Sequence, residues 1–210
     1  IIPMEVFMLY TNYKQSRNAA WEFLIKYKVK ELPVRISAIC EKEGIKLYSY
    51  EHAKDLIMRF GLMQRTVGND GFTWQGMIFY NQECAAARQR FTVAHELGHI
   101  VLGHTELRAL VNREPAANDN PVEQAANIFA ARLLAPAIVL RDLGVTNAEE
   151  IQRLCDISAQ AAQYRMQRLQ LLYDREQWFL AERGYSCFGL SPLEREVEKQ
   201  FAHYIKHNKL

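Results

Sequence analysis

Apolar residues recur at helical spacing along most of the chain, whereas two-residue alternation is confined to its first half. The apolar positions within 15–29 and 33–44 repeat every three or four residues and predict two helices. Pro33 suits the first turn of the second helix, and Gly44 suits the position just after its end. The segment 45–50 alternates between apolar and polar residues and predicts a strand.

Short elements follow this strand. We expect a short helix at 53–59, and the Gly-Asn-Asp-Gly sequence at 68–71 is typical of a turn. The apolar residues at 76–80 predict another strand. Together these pieces predict a small sheet, of about three strands, surrounded by helices.

The rest of the chain is predicted to be helical apart from one loop. A helix covers 89–102, a loop rich in asparagine and proline covers 113–121, and a second apolar helix covers 121–134. Pro136 either ends that helix or opens the next one. Helical patterns then continue from Thr146 onward.

Composition narrows the class of protein. The 210 residues are 49% hydrophobic, enough for one sizeable core with or without a small second module. The formal net charge of +2 gives no strong field to attract nucleic acid or an anionic membrane. No apolar run approaches the roughly 20 residues of a membrane-spanning helix, and the N-terminus lacks signal-peptide features. The four cysteines form no C-x-x-C pair, so we expect reduced thiols. Together, the charge, the apolar runs, the N-terminus and the cysteines lead us to expect a cytoplasmic location and no membrane partner.

The helix at 89–102 carries the sequence His-Glu-Leu-Gly-His at 95–99. Histidines four residues apart lie on one helix face, so His95 and His99 can direct ring nitrogens at one zinc ion. Glu96 points to a neighbouring face, from which its carboxylate can reach a water on the zinc without being a ligand. A hydrolase needs this division of roles, because the ion polarises a carbonyl group and acidifies the water while the carboxylate takes the proton.

The surroundings of the motif favour a metal site over a chance match. The helix is apolar on nearly every side, which predicts that it is buried. A buried Glu96 without a partner would be costly, and a metal-bound water supplies one. Gly98 allows another segment to approach the helix between the two histidines. His203 and His207 share the four-residue spacing but lack the glutamate and lie in a polar tail, so we assign them to a solvated helix face.

A catalytic zinc usually has three protein ligands, so the motif needs a partner from elsewhere in the chain. The metzincin pattern is excluded, because its glycine and third histidine would fall at Leu102 and Thr105. His104 follows Gly103, which is a predicted helix cap, and we expect His104 to support the site rather than bind the ion.

Glu123, on the apolar helix 121–134, is the better candidate for the third ligand. Asn127 shares its face one turn on, and we expect it to contact a ligand rather than be one. An alternative stays open at this point, because Asn120 and Pro121 can start the helix and place Glu123 in a capping box.

Two sequence blocks combine into a pattern that is more specific than the five-residue motif. The first is Arg-Phe-Thr-Val-Ala-His-Glu-Leu-Gly-His at 90–99, and the second is Glu-x-x-Ala-Asn-x-Phe-Ala-Ala-x-Leu-Leu-x-Pro at 123–136. Together they resemble the ImmA/IrrE family of metallo-endopeptidases, and weaker similarity extends over most of the chain. One departure is Gly103, where many relatives carry a histidine.

The resemblance implies a zinc endopeptidase with His95, His99 and Glu123 as ligands and Glu96 as general base. It implies that the substrate is a helix-turn-helix transcriptional repressor, whose cleavage derepresses stress-response or mobile-element genes. It also implies a mostly helical α+β protein with a zincin-like core. We therefore predict a peptidase core at 14–136 and a helical module at 137–210.

The segment 146–173 has the outline of a DNA-reading module. Thr146-x-x-Glu149 predicts a capping box, a turn follows, and Ser158 can cap a second helix that reaches Tyr173. The second helix carries side chains able to reach base edges, namely Gln160, Gln163, Arg165, Gln167, Arg168 and Gln170. Its charges do not favour DNA, because three acidic and three basic residues cancel in this segment. The same side chains could hold a protein substrate.

Two functions therefore compete. The first is a zinc endopeptidase that cleaves a regulator, and the second is a DNA-binding regulator whose zinc-stabilised core is inactive. A zinc hydrolase of a small substrate is a further alternative. Replacing Glu96 separates the first two, since only the peptidase needs that carboxylate.

Overall fold

The structure is a computed structural model that describes residues 4–104, 120–183 and 190–210. About 66% of the described residues are helical and one small sheet is present among them, which confirms the predicted mostly helical α+β class. The helices in the described residues are α1 (Met4–Lys26), α2 (Ile36–Lys42), α3 (Lys54–Arg59), α4 (Ala86–Val101), α5 (Pro121–Leu134), α6 (Ala137–Asp142), α7 (Ala148–Cys155), α8 (Ala159–Arg183) and α9 (Pro192–Asn208). The predicted loop at 113–121 lies outside the described residues as far as residue 119, and so does Cys187.

The chain forms two compact units. The first comprises Ile1–Ala20 and Arg35–Leu134, and the second comprises Trp21–Val34 and Ala135–Leu210. All residues predicted to form the metal site belong to the first unit. The predicted domain division at 136/137 stays a prediction.

The first unit contains a small sheet of three strands, as the sequence predicted, and the structure gives their order as β1-β3-β2. Its strands are β1 (Leu47–Ser49), β2 (Gly71–Trp74) and β3 (Met77–Tyr80), with β1 parallel and β2 antiparallel to β3. Side chains alternate between the two faces. The paired Phe72 and Phe79 stack at 4.8 Å in a small apolar cluster with Ile57 of α3. Thr73 consequently points to the opposite face, where α4 lies.

Helices α4 and α5 pack closely at Gly98. A Cβ atom at this position would lie 3.0 Å from Cδ1 of Phe129 and 3.3 Å from the backbone of Ala126. A side chain at position 98 would require these neighbours to shift by a few tenths of an ångström, so glycine favours the approach, which confirms the close contact predicted between the two histidines. The contact positions the ligand-bearing faces of α4 and α5 relative to each other.

Helix α2 begins later than predicted. It starts at Ile36, whereas Pro33 lies outside it, after a cis peptide bond with Leu32. Val34 between them is fully buried in an irregular segment, so burial of that side chain overrides the preference of proline for a first helical turn. The predicted end is confirmed, because Gly44 has the positive φ of 73° that follows a helix.

The capping box of α7 is displaced by one residue from its predicted position. Asn147, not Thr146, is the N-cap, and its side-chain oxygen accepts a hydrogen bond from the N–H of Glu150. The carboxylate of Glu150 in turn accepts from the N–H of Thr146 at 2.8 Å. The sequence Thr-Asn-Ala-Glu-Glu fits the motif in two registers, and the asparagine register forms.

Helix α8 starts where the sequence predicted and ends later. Ser158 precedes it and accepts a hydrogen bond from the N–H of Ala161. The helix continues past Tyr173 to Arg183, because the residues between them include neither glycine nor proline.

One stretch in the described residues, Pro121–Asp142, is long and apolar enough by composition to cross a membrane, contrary to the prediction that no apolar run approaches that length. In the most apolar part of this stretch, 61% is buried inside the protein. The stretch is also divided between two helices, α5 and α6. Pro136, the N-cap of α6, separates the two helices. These features are those of core helices, which pass the same test of composition.

Candidate metal centre

Three potential metal ligands from two helices converge in the first unit. His95 and His99 lie one turn apart on α4, and Glu123 lies in the first turn of α5. Nε2 of His95 is 3.0 Å from Nε2 of His99 and 3.1 Å from Oε2 of Glu123. Nε2 of His99 is 3.4 Å from the same carboxylate oxygen. The structure thus brings together the three residues that the sequence predicted as ligands.

The size and chemistry of this triangle fit a small divalent cation. Three ligand atoms at about 2.0–2.1 Å from a tetrahedral ion stand roughly 3.3 Å from one another. The three observed distances, 3.0, 3.1 and 3.4 Å, lie close to that value. A metal-facing imidazole nitrogen and a carboxylate oxygen both present lone pairs, so a cation between them relieves their mutual repulsion.

The triangle is open on one side. The His99 side chain is fully buried, whereas those of His95 and Glu123 are 15% and 29% exposed. A metal ion held there would therefore be reachable from solvent, as a catalytic site requires and a closed structural site does not.

Asn127 fixes the orientation of the His95 ring. Its amide oxygen lies 2.9 Å from Nδ1 of His95. An amide oxygen can only accept a hydrogen bond, so Nδ1 carries the hydrogen and the lone pair is on Nε2. Asn127 therefore directs the correct nitrogen of His95 towards the triangle without itself being part of it.

His104 contacts Nδ1 of His99, as Asn127 contacts Nδ1 of His95. The two Nδ1 atoms are 3.1 Å apart, and both side chains are buried. When Nδ1 of His99 donates to Nδ1 of His104, Nε2 of His99 is left with a lone pair facing His95 and Glu123. The contact forms because Gly103, with φ of 72°, ends α4 and turns the chain back towards it.

Glu96 follows His95 on α4 and is buried, with 4% of its surface exposed. Its Oε2 accepts a hydrogen bond of 2.9 Å from the hydroxyl of Thr73 on β2. Thr73 was not predicted from the sequence, because it is 23 positions away from Glu96 and reaches it only through packing of a strand on a helix. No local pattern in the sequence signals such a contact.

The charge of Glu96 also acts on Tyr50. Burial raises the pKa of the Tyr50 phenol, and the negative charges of Glu96 and Asp70 raise it further. Tyr50 therefore stays protonated and donates its hydroxyl hydrogen to the backbone oxygen of Asn69 at 3.1 Å. The phenol adds no negative charge near the site.

The sequence left open whether Glu123 is a metal ligand or part of a capping box that starts at Asn120. The side-chain oxygen of Asn120 accepts from the N–H of Val122 at 2.9 Å, so Asn120 acts as the predicted helix start. Oε2 of Glu123 is nevertheless directed at His95 and His99. Capping by Asn120 and a metal-site role for Glu123 are therefore compatible.

The contrasting pair on α9 behaves as expected. His203 and His207 are exposed, and Nδ1 of His207 lies 2.8 Å from the backbone oxygen of His203. Among the described residues, His95, His99 and Glu123 are the one group whose ligand atoms are close enough to hold an ion.

The helical module presents fewer DNA-reading side chains than the sequence suggested. Arg165 is buried, and its guanidinium donates to the backbone oxygen of Ala135 at 2.7 Å and 2.5 Å. The other predicted contacts are exposed on α8, namely Gln160, Gln163, Gln167, Arg168 and Gln170. One of the three arginines of segment 146–173 is thus buried and hydrogen-bonded to the backbone, so it is not available to contact DNA.

The sequence matches the IrrE N-terminal-like domain family over residues 40–167. The chain belongs to this family. The matched range contains both metal-site helices and reaches into α8, and the predicted ImmA/IrrE resemblance is confirmed.

The chain is also similar to two curated proteins that are named as metalloproteases. The chain is 35% identical over 97 residues to the radiation response metalloprotease IrrE of Deinococcus deserti, covering 42% of this chain and 34% of the relative. It is 32% identical over 97 residues to the protein of the same name from Deinococcus radiodurans, covering 42% of this chain and 30% of the relative. The match thus spans about a third of the length of these relatives. A metalloprotease family implies a metal ion, for which the His95–His99–Glu123 triangle offers a site.

Proposed function

We propose that the protein is a zinc-dependent endopeptidase, with His95, His99 and Glu123 as zinc ligands and Glu96 as general base. The observation that carries the proposal is the convergence of three ligand atoms within 4.8 Å of one another, together with a buried glutamate, Glu96, that directly follows the ligand His95 on α4. Zinc is favoured because a set of two histidines and one carboxylate with an open position is typical of zinc peptidases.

The residues of the site divide the chemistry between them. When bound, zinc would polarise the scissile carbonyl group and lower the pKa of a water molecule towards about 7. Glu96 removes a proton from the attacking water and passes it to the amine nitrogen of the departing peptide. Asn127 and His104 keep the ligand rings oriented, and the exposed side of the triangle admits the substrate.

The proposed substrate is a helix-turn-helix transcriptional repressor, whose cleavage in the cytoplasm would derepress stress-response or mobile-element genes. Two lines support this proposal. One is the resemblance to the ImmA/IrrE family, and the other is that both characterised relatives are named as radiation response proteins.

The test replaces Glu96 with glutamine, which keeps the shape and removes the base. The parent and Glu96→Gln are incubated with each helix-turn-helix repressor from the genome that encodes this protein, with and without chelator. We expect Glu96→Gln to bind zinc normally and to cleave about 10²–10⁴-fold more slowly than the parent. Glu41→Gln, an exposed glutamate on α2, is the matched control and should cleave at the parent rate.

A second candidate function is a DNA-binding regulator with a zinc-stabilised, inactive core. The exposed glutamines of α8 favour it, whereas the cancelled charges and the buried Arg165 weigh against it. If Glu96→Gln and parent cleave the repressor equally, the peptidase mechanism is wrong. If neither cleaves and both shift promoter DNA, the regulator is the better description.

A further inference from the structure

Glu96 has one hydrogen-bond donor for its carboxylate among the described residues. This donor is the hydroxyl of Thr73, whose Oγ1 lies 2.9 Å from Oε2. Both residues are buried, with 8% of Thr73 and 4% of Glu96 exposed. Water therefore competes poorly for this bond, and a hydrogen bond to a charged group is stronger than one between neutral groups.

The backbone around Thr73 is held from three sides. Thr73 pairs with Ile78 of β3, and its carbonyl oxygen accepts from the Arg65 guanidinium at 3.3 Å. On the side of α4, a Cβ atom at Gly71 would collide with the methyl group of Thr92 and lie 2.8 Å from the Phe79 carbonyl oxygen. Strand β2 thus packs directly on α4, two residues before Thr73. The hydroxyl is presented to Glu96 by a strand that cannot easily shift.

From this geometry we infer that Thr73 is a positioning residue for Glu96 in the proposed peptidase reaction. A carboxylate held only by its own side-chain torsions samples several orientations, because the terminal torsion of glutamate is broad. Because the Thr73 hydroxyl donates a hydrogen bond to Oε2, it fixes the plane of the Glu96 carboxylate. Oε1 is then free to accept the proton of the attacking water. Thr73 acts through Glu96 and itself exchanges no proton with the substrate.

The inference rests on the proposed function, and two variants of Thr73 test it. Thr73→Val keeps the branched shape and removes the hydroxyl, whereas Thr73→Ser keeps the hydroxyl and removes the methyl group. Thr92→Val is the matched control, since it makes the same change at the same strand–helix contact. The probe is a tryptic peptide library of a bacterial proteome, and kcat and KM are measured on a synthetic copy of the peptide that the parent cleaves fastest.

We expect Thr73→Val to lower kcat by about 10- to 100-fold with little change in KM, as the loss of a buried hydrogen bond to a charged group predicts. Zinc content should be unchanged, and Thr73→Ser and Thr92→Val should stay within about threefold of the parent. A parent-like kcat in Thr73→Val would overturn the inference. Equal losses in Thr73→Ser and Thr73→Val would also overturn it, because packing of the methyl group would then explain both.

A crystallographic comparison separates this inference from the proposed function. In Thr73→Val the Glu96 carboxylate should leave its position or occupy several, while in Thr73→Ser it should stay in place. An unmoved carboxylate in Thr73→Val shows that Thr73 does not position it. A parent protein that cleaves no peptide counts against the peptidase proposal, whereas the crystal structures still decide the role of Thr73.

Discussion

Asn127 determines which nitrogen of His95 faces the candidate metal centre, and a measurement of zinc affinity tests this role. Replacing it with alanine removes the acceptor for Nδ1–H, so the ring can rotate and exchange tautomers. Loss of such a supporting contact typically costs about 10–100-fold in affinity. We expect this loss in the zinc affinity of Asn127→Ala, measured by competition with a chromophoric chelator.

The carboxylate variant of the same residue is the control. Asn127→Asp keeps an oxygen acceptor at the same distance from the backbone, so it should retain affinity within a few-fold of the parent. Equal affinities for the parent and Asn127→Ala would show that packing alone orients the His95 ring.

Cys40 gives a prediction about stability and pH. Burial on α2 raises the pKa of its thiol to about 12. As pH rises past about 9, the unfolded chain loses this proton while the folded chain keeps it, so the free energy of unfolding falls. By about pH 10 this contribution reaches roughly 1.4 kcal/mol.

The variant Cys40→Ala isolates that contribution. Urea unfolding of both proteins at about pH 8 and about pH 10 should show the parent losing more stability than Cys40→Ala, by roughly the same 1.4 kcal/mol. Equal losses in the two proteins would mean that the thiol is accessible or already ionised in the folded state.

The sequence predicted those site residues whose relation is set by a single helix or a motif. The spacing of His95 and His99 fixes their relation because the helix itself supplies the geometry. Glu123 required the resemblance to a family, since spacing left it between ligand and cap. Thr73 could not be predicted at all, because its contact depends on how a strand packs against α4.

At the scale of elements, α7 offers a direct test of which residue caps it. Asn147→Ala removes the side-chain acceptor for the N–H of Glu150 and should lower the free energy of unfolding by about 1 kcal/mol. Thr146→Ala should change it by less than about 0.5 kcal/mol, because Thr146 contacts Glu150 mainly through its backbone N–H, which alanine keeps. Denaturant unfolding of the two variants is the measurement, and a larger loss for Thr146→Ala would restore the predicted register.

Elements were predictable where local signals were unambiguous. Helix α5 runs from Pro121 to Leu134 as predicted, because proline starts it and a second proline follows its end. The start of α2 was wrong, since burial of Val34 overrode the local preference of Pro33. Local sequence therefore predicted the helical periods, but it left two possible registers for the cap of α7, and long-range packing decided the start of α2.

At the scale of the whole molecule, one segment groups with residues far from it in sequence. Residues 21–34 belong to the second unit. Within that unit Gln200 of α9 donates to the backbone oxygens of Leu24 and Val29, at 2.7 Å and 2.6 Å. The two partners are 176 and 171 positions away, so no window of sequence could have predicted the grouping.

A metal ion held by His95 and His99 of α4 and Glu123 of α5 would link the two helices, so its removal should lower the stability of the first unit. Zinc that binds only the folded state adds about 2.7 kcal/mol of stability at a free concentration 100 times its dissociation constant. For a protein of this size, that corresponds to a fall in Tm of roughly 5–10 °C on chelation. The same fall should appear in Glu123→Ala with zinc present, and chelator should then lower its Tm little further.

The variant with both His203 and His207 replaced by alanine is the control, because that pair has the same spacing on an exposed helix. It should respond to chelator as the parent does. A parent Tm unaffected by chelator, measured by calorimetry on protein shown to contain zinc, would mean that the ion does not join the two helices.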